Sequence, residues 1–262
     1  MDLNLTGKHA LVCGGSEGIG LATAWALAGL GADVTLLARR EDTLRELATR
    51  LPRPHPAQAH GWVSADTADL DTLRTKVDAL AAGKPVHILV NNSGGPPPGP
   101  LRNAGIAEFE AAYRQHLLGN QVLAQSVLPG MERDGYGRIV NVISTSVKEP
   151  LRGLGVSNTT RWAVASWAKT LATEVAPHGI TVNNVLPGAT ETPRIEQIIS
   201  TTMERTGQLR EAVLAKMVEE IPLGRFARPE ETAAAIAFLC SPAAAYITGV
   251  NLPVDGGRLR SL

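Results

Sequence analysis

A short glycine-rich stretch at residues 13–20, with the sequence CGGSEGIG, carries the first residues with a clear chemical potential. It follows an apolar run and precedes an alanine- and leucine-rich stretch with helical spacing, which predicts a strand, a tight turn and a helix. Glycine lets the backbone approach a ligand closely, and the first N–H groups of a helix are free to bind an anion. The stretch therefore predicts a pyrophosphate site. An ordinary glycine-rich turn is the alternative, because the G-x-x-x-G-x-G spacing differs from the general dinucleotide motif.

Two arginines, Arg39 and Arg40, follow the second predicted strand. A carboxylate placed about twenty residues after the glycine turn binds the adenosine ribose and repels a 2′-phosphate. Here that position is Ala38, and the planar guanidinium groups that follow are suited to phosphate. The hydroxyl of Ser16 in the turn adds a further donor. This pattern favours NADP(H) over NAD(H); the alternative is that both arginines are solvated charges, one of them paired with Glu17.

The elements that must position these residues alternate between short apolar runs and longer helical patterns. Strands are predicted at residues 9–12, 33–38, 59–65, 86–91, 138–143, 181–186 and 250–254. Helices are predicted at residues 19–30, 41–50, 70–82, 106–133, 159–176 and 230–239, with two further pieces from Arg194 and Leu209. Within residues 106–133, Gly119 is a predicted kink and Pro129 a predicted end. Alternating strands and helices predict a parallel sheet whose ligands bind at the carboxyl ends of the strands.

Composition excludes several classes of function. The chain has 25 basic and 25 acidic residues and no basic run, so neither nucleic acid nor an anionic membrane is an expected partner. The two cysteines, Cys13 and Cys240, are too few for a disulfide framework and lie in apolar segments, which predicts buried thiols. No N-terminal signal segment and no run of roughly 18 apolar residues is found, so we expect a soluble, cytoplasmic protein. No metal site is predicted.

The motifs at the strand ends together resemble the short-chain dehydrogenase/reductase family over essentially the whole chain, nearest to its 3-oxoacyl carrier-protein reductase branch. Besides the glycine turn, they are NNSG at residues 91–94, IVNVIS at 139–144, YITG at 246–249 and VDGG at 254–257. The resemblance implies one α/β domain over residues 1–262, a doubly wound Rossmann fold with a seven-stranded parallel sheet and helices on both faces. It also implies a nicotinamide cofactor, a small-molecule carbonyl or alcohol substrate, and a homotetramer or homodimer. The implied cofactor-binding residues are Gly14, Ser16, Gly18, Ile19, Gly20, Arg39, Asp66, Asn92, Gly94, Pro187, Gly188 and Thr192.

The resemblance also implies a degenerate catalytic site. Members of the family use a serine to hold the substrate carbonyl, a tyrosine as proton donor, a lysine and an asparagine. The matching positions here are Ser144, Ser157, Arg161 and His116, so only the serine is retained. An aliphatic hydroxyl is too weak an acid to replace the tyrosine, and a guanidinium stays protonated. Arg161 can still bind the hydroxyls of the nicotinamide ribose, as the family lysine does.

Two other residues are candidates for the missing proton transfer. Lys148 lies on the loop that leaves the fifth strand, and a desolvated lysine can titrate near pH 7; its alternative is a solvated lysine paired with Glu149. His116 has an ordinary pKa close to physiological pH; its alternative is a histidine hydrogen-bonded in the core. Residues 192–222 are predicted to form a substrate lid, because loops at this edge of the sheet carry specificity.

Three hypotheses follow from these residues. The one we favour is an NADP(H)-dependent oxidoreductase with a non-standard active site, in which Ser144 and Ser157 hold a carbonyl and Lys148 or water supplies the proton. The second is a lyase or isomerase in the same pocket, with His116 or Lys148 abstracting a proton next to a carbonyl. The third is a cofactor-binding protein without turnover.

Overall fold

Seven parallel strands form the central sheet in a computed structural model that describes residues 1–261. They are β1 (His9–Cys13), β2 (Asp33–Ala38), β3 (Gly61–Ser64), β4 (Ile88–Asn91), β5 (Gly137–Val142), β6 (Ile180–Pro187) and β7 (Asn251–Val254). Their order across the sheet is β3-β2-β1-β4-β5-β6-β7. Every neighbouring pair is parallel, so each connection must cross over the sheet. The predicted parallel sheet is confirmed.

Nine α-helices lie between or beside the strands within residues 1–261. They are α1 (Gly18–Gly29), α2 (Glu41–Arg50), α3 (Leu70–Gly83), α4 (Ile106–Tyr113), α5 (Gly119–Arg133), α6 (Gly155–Val175), α7 (Pro193–Thr206), α8 (Arg210–Glu219) and α9 (Pro229–Cys240). None of these helices is long and apolar enough to cross a lipid bilayer.

Helices cover both faces of the sheet because successive strand residues point to opposite sides. In β1, Ala10 and Val12 belong to the core that contains buried residues of α1, α2 and α9. Leu11 and Cys13 belong to the opposite core, which contains buried residues of α3, α5 and α6. The predicted doubly wound Rossmann fold is therefore confirmed. Both cysteines are buried and free, as predicted, and burial raises the pKa of each thiol to about 12.

The long helix predicted over residues 106–133 is interrupted. A π-helical turn, Arg114–Leu118, separates α4 from α5, and Gly119 is the first residue of α5. A Cβ atom at Gly119 would lie 2.6 Å from the backbone oxygen of Thr67, so glycine is needed where the helix approaches that loop. The predicted kink thus falls beside Gly119. The predicted end at Pro129 is wrong, because this proline lies inside α5.

Helix α6 begins at Gly155, about one turn before the start predicted near residue 159. The backbone N–H of Gly155 donates to the oxygen of Gly99 over 3.1 Å. A Cβ atom at Gly155 would lie 2.6 Å from the Cα of Leu101. The glycine therefore lets the first turn of α6, which carries Ser157, pack closely against residues 99–101.

Candidate active site

A large cavity lies at the carboxyl ends of the strands, where ligands bind in sheets of this kind. Its volume is about 1940 Å³, well above the roughly 300–1,000 Å³ of a pocket for one drug-sized ligand. Thirteen of the predicted site residues line it: Gly14, Ser16, Gly18, Ile19, Arg39, Asn92, Gly94, Ser144, Ser157, Arg161, Pro187, Gly188 and Thr192. The cavity has room for a dinucleotide and a second molecule.

The glycine turn forms one end of this cavity. Gly14 and Gly18 have φ angles of 60° and 55°, in the region that favours glycine. Gly20 does not line the cavity but supports the turn from behind, because a Cβ atom there would overlap the carbonyl oxygen of Gly14. No acidic residue stands in the first turn of α1 and no side chain caps it. Its first N–H groups are thus free for an anion, as a pyrophosphate requires.

The two arginines after β2 are both exposed and both line the cavity, but their partners differ. Nη2 of Arg40 lies 3.1 Å from Oε2 of Glu17, so one arginine is paired as the alternative interpretation of the sequence expected. Arg39 forms no ion pair with any residue in the range 1–261. Its guanidinium is the one available to a 2′-phosphate.

Asn92 and Asp66 differ in their positions relative to the cavity. Nδ2 of Asn92 donates to the backbone oxygen of Cys13 over 3.4 Å, which ties the end of β4 to the glycine turn. Asp66 is outside the cavity wall, although its neighbours Ala65 and Thr67 are part of it. Oδ1 of Asp66 accepts from the N–H of Ala68 over 2.9 Å and shapes the turn before α3. Its implied contact with the adenine remains a prediction.

Three of the five predicted catalytic residues meet in the cavity wall. Ser144 follows β5, and its Oγ accepts from the N–H of Ser146 over 3.1 Å. Ser157 and Arg161 lie one turn apart on α6, and each is only 8% exposed. Nη1 of Arg161 donates to the backbone oxygen of Val142 over 3.1 Å. This hydrogen bond fixes the guanidinium against the end of the strand that leads to Ser144.

The other two predicted catalytic residues are outside the wall. His116 is buried on the π-helical turn, with Nδ1 at 2.8 Å from Oγ of Ser93. Burial, together with the positive charges of Arg161 and Arg194, lowers the pKa of His116 to about 2. The imidazole is therefore neutral at physiological pH. Lys148 is exposed, and the structure does not bring it to the cavity.

The predicted lid contains α7 and α8, which pack against each other. Its buried core consists of Ile195, Ile199 and Val213. Ile195 and Val213 also line the cavity, as do Ile198 and Met217. These four side chains contribute apolar surface to the interior of the site, beside charged lid residues such as Arg194, Arg205 and Lys216.

The wall of the cavity is positively charged, a feature that the sequence did not predict. Nine arginines and one lysine line the cavity, against three glutamates: Arg39, Arg40, Arg102, Arg152, Arg161, Arg194, Arg205, Arg258, Arg260 and Lys216, with Glu17, Glu149 and Glu220. The chain as a whole has zero formal charge, so only folding gathers these residues. One feature of the sequence could have marked Arg194 as a site residue: it directly follows Thr192 and Pro193, after the β6 segment.

The strand order β3-β2-β1-β4-β5-β6 with a glycine turn after β1 defines a Rossmann-type dinucleotide-binding domain. The free N–H groups of α1 and the unpaired Arg39 fit the phosphates of such a ligand. Residues 14–258 match the family model described as enoyl-(acyl carrier protein) reductase. The chain belongs to the short-chain dehydrogenase/reductase family.

Individual relatives cover the full length of the chain. The 3-oxoacyl-[acyl-carrier-protein] reductase of Aquifex aeolicus is 32% identical over 98% of this chain and 99% of its own. The L-xylulose reductase of Mesocricetus auratus is 34% identical over 99% of both chains. Among solved structures, the L-sorbose reductase of Gluconobacter frateurii, complexed with NADPH and L-sorbose, is 33% identical over 100% of both chains, with a TM-score of 0.92.

Proposed function

We propose that the protein is an NADP(H)-dependent oxidoreductase that acts on a carbonyl or alcohol substrate through a non-standard active site. One observation carries this proposal. A single cavity contains both the glycine turn with Arg39 and the group formed by Ser144, Ser157 and Arg161. The similarity to reductases of L-xylulose and L-sorbose, the latter complexed with NADPH, supports both the cofactor and the reaction class.

The cofactor residues have distinct roles in this proposal. The N–H groups at Gly18 and Ile19 hold the pyrophosphate, and Arg39 holds the 2′-phosphate. Asp66 binds the adenine amino group, whereas Asn92 and Gly94 line the middle of the cofactor. The nicotinamide end lies beside Pro187, Gly188 and Thr192. Bound NADPH supplies the hydride for reduction of a carbonyl carbon.

The residues around the carbonyl act by binding and orientation. The hydroxyls of Ser144 and Ser157 hold the carbonyl oxygen, on which negative charge develops during hydride transfer. Arg161, held by the oxygen of Val142, binds the hydroxyls of the nicotinamide ribose. Its positive charge also favours the developing oxyanion. These contributions need no change in the protonation state of the protein.

Water is the proton donor in this proposal. A serine hydroxyl is a poor acid, the neutral His116 is outside the wall, and Lys148 is exposed beyond it. No histidine, tyrosine or cysteine of residues 1–261 lines the cavity. The absence of these side chains from the wall also favours another candidate function, that of a cofactor-binding protein without turnover. We expect the protein to act in the cytoplasm as a homotetramer or homodimer.

The test is NADPH oxidation by the purified full chain over a panel of aldehydes, ketones, oxo acids and sugars. We expect turnover with at least one compound, and Ser144→Ala lowers kcat/KM by roughly 100- to 1,000-fold because a donor to the oxyanion is lost. Ser166→Ala is the matched control, because Ser166 is an exposed serine on α6 outside the cavity.

The other outcomes separate the alternatives. Binding of NADPH without oxidation by any compound indicates a cofactor-binding protein. Product formation without a change in nicotinamide absorbance indicates a lyase or isomerase. Failure to bind either nicotinamide cofactor, or equal losses in Ser144→Ala and Ser166→Ala, contradicts the proposal.

A further inference from the structure

Two arginines, Arg161 and Arg194, belong to the cavity wall. Neither forms an ion pair with a carboxylate within residues 1–261. Two of the three glutamates in the wall are paired elsewhere, Glu17 with Arg40 and Glu220 with Arg258. Arg161 is also 92% buried. Unpaired buried cations are costly, so this part of the wall is suited to an anion.

The hydrogen bonds of the two guanidinium groups leave most of their donors unused. A guanidinium has five N–H donors. Arg161 uses one on the backbone oxygen of Val142. Arg194 uses Nη2 on the oxygen of Pro96, over 2.7 Å, and Nη1 on Oε1 of Gln197, over 2.8 Å. Each group is therefore held in place by neutral acceptors, with further N–H donors left for a ligand in the cavity.

The two positive charges lie close enough to affect each other. Burial, followed by the charge of Arg194, lowers the pKa of Arg161 to about 10. Burial also lowers the pKa of Arg194. Both arginines line the same cavity, and after burial their charges also lower the pKa of His116. An anion in this region interacts favourably with both guanidinium groups.

Arg194 lies at the start of the lid, near residues that line the cofactor end of the cavity. It is the second residue of α7, and a Cβ atom at Gly95 on the opposite loop would lie 3.2 Å from its Nη2. Thr192, two residues earlier, reaches the glycine turn, since a Cβ atom at Gly18 would lie 3.1 Å from its Cγ2. The apolar lid residues Ile198 and Met217 line the same cavity.

We propose that Arg194, reinforced by the charge of Arg161, binds an anionic group of the substrate and selects oxo acids or phosphorylated carbonyl compounds over neutral ones. This inference rests on the proposed oxidoreductase function and specifies its substrate class. The anionic group is a carboxylate or a phosphate ester, because both accept paired hydrogen bonds from a guanidinium. The apolar lid accommodates a hydrocarbon portion of the same substrate.

The test compares charged and neutral members of matched pairs. One pair is 2-oxo-4-phenylbutanoate and its ethyl ester, and the other is dihydroxyacetone phosphate and dihydroxyacetone. For the wild-type chain we expect kcat/KM for a charged member to exceed that of its neutral partner by roughly 10- to 100-fold. The pair that shows this preference distinguishes a carboxylate from a phosphate.

Variants then assign the preference to Arg194. Arg194→Gln is expected to remove the preference by raising KM for the charged member, with little change for the neutral one. Arg210→Gln is the matched control, because it removes the same charge from the lid outside the cavity, where Arg210 is paired with Glu196. NADPH affinity is measured for each variant by fluorescence titration.

A binding measurement separates failure of this inference from failure of the proposed function. The four compounds are titrated calorimetrically into the protein with NADP⁺. Charge-selective binding that Arg194→Gln abolishes, without turnover, supports the anionic subsite and contradicts the oxidoreductase function. Equal use and equal binding of charged and neutral members overturns the inference. So does a loss of NADPH affinity in Arg194→Gln with the preference retained, because Arg194 then binds the cofactor.

Discussion

Oγ of Ser93 lies 2.8 Å from Nδ1 of His116, and this contact ties the loop after β4 to the π-helical turn Arg114–Leu118. The other ring nitrogen, Nε2, is buried without a hydrogen-bond partner among residues 1–261. A protonated imidazole is therefore disfavoured by burial and by Arg161 and Arg194. The site keeps His116 neutral and uses it to position a loop that lines the cavity.

His116 is expected to make the fold less stable as the pH falls. Its pKa is about 2 in the folded protein against 6.5 for an ordinary histidine, so the unfolded chain takes up this proton first below pH 6.5. The free energy of unfolding thus rises with pH between these two pKa values. At pH 5 this group lowers it by about 1–2 kcal/mol relative to neutral pH. Glutamine does not titrate, so the His116→Gln variant is expected to lose less stability than the wild-type chain between pH 7 and pH 5, as measured by urea unfolding. An identical pH dependence in both chains contradicts the assignment.

Arg39 is expected to carry the preference for NADP(H). Arg39→Ala removes a charge-assisted hydrogen bond to the 2′-phosphate and raises the Kd for NADPH roughly 10-fold or more. The Kd for NADH, which lacks that phosphate, stays close to its original value. Arg40→Ala is the comparison, because Arg40 is already paired with Glu17, and its effect is smaller. Fluorescence titration measures all these affinities; equal weakening of NADPH and NADH binding would show that Arg39 does not read the phosphate.

Lys148→Ala distinguishes water from lysine as the proton donor. Lys148 is exposed and is not part of the cavity wall, so its removal is expected to change kcat/KM by no more than about twofold. The measurement is the pH profile of NADPH oxidation with the best substrate of the panel. A loss of activity together with the disappearance of a titration step would restore Lys148 as the donor.

Gly20 and Gly29 form a matched pair for the glycine turn. Gly20→Ala places a Cβ atom against the oxygen of Gly14 and 2.7 Å from Nδ2 of Asn92, so we expect destabilisation of about 1–3 kcal/mol and weaker NADPH binding. Gly29, at the other end of α1, has no atom within 4 Å of an added Cβ, and Gly29→Ala leaves binding unchanged. Thermal unfolding and NADPH titration measure both variants. Unchanged binding in Gly20→Ala would mean that the turn does not need this close approach.

Part of the site was predictable because it depends on local sequence. The spacing of Gly14, Gly18 and Gly20 after an apolar run predicted the turn at the start of α1, and the structure confirms it. The parallel order of strands then places every loop that follows a strand at the same edge. Ser144 and Arg161 therefore meet in one cavity although the chain separates them by sixteen intervening residues.

Other features depended on which way side chains point. Lys148 and Ser144 are four residues apart and Glu149 lines the cavity, yet the exposed side chain of Lys148 does not. His116 has a residue type suited to proton transfer, but burial on the π-helical turn removes its charge. A sequence records the residue type and spacing, not the solvent exposure that sets a pKa.

The sequence by itself determined the fold class, the glycine turn and the family, because periodicity and spacing along the chain dictate strands, helices and tight turns. Only the tertiary structure decided the charge of the cavity. Arg161 on α6 and Arg194 on α7 come from separate elements and lie far apart in the sequence. They form the proposed anion site only when long-range packing places both guanidinium groups in one wall, where Arg161 is buried and Arg194 half-buried. Neither then has a carboxylate partner within residues 1–261.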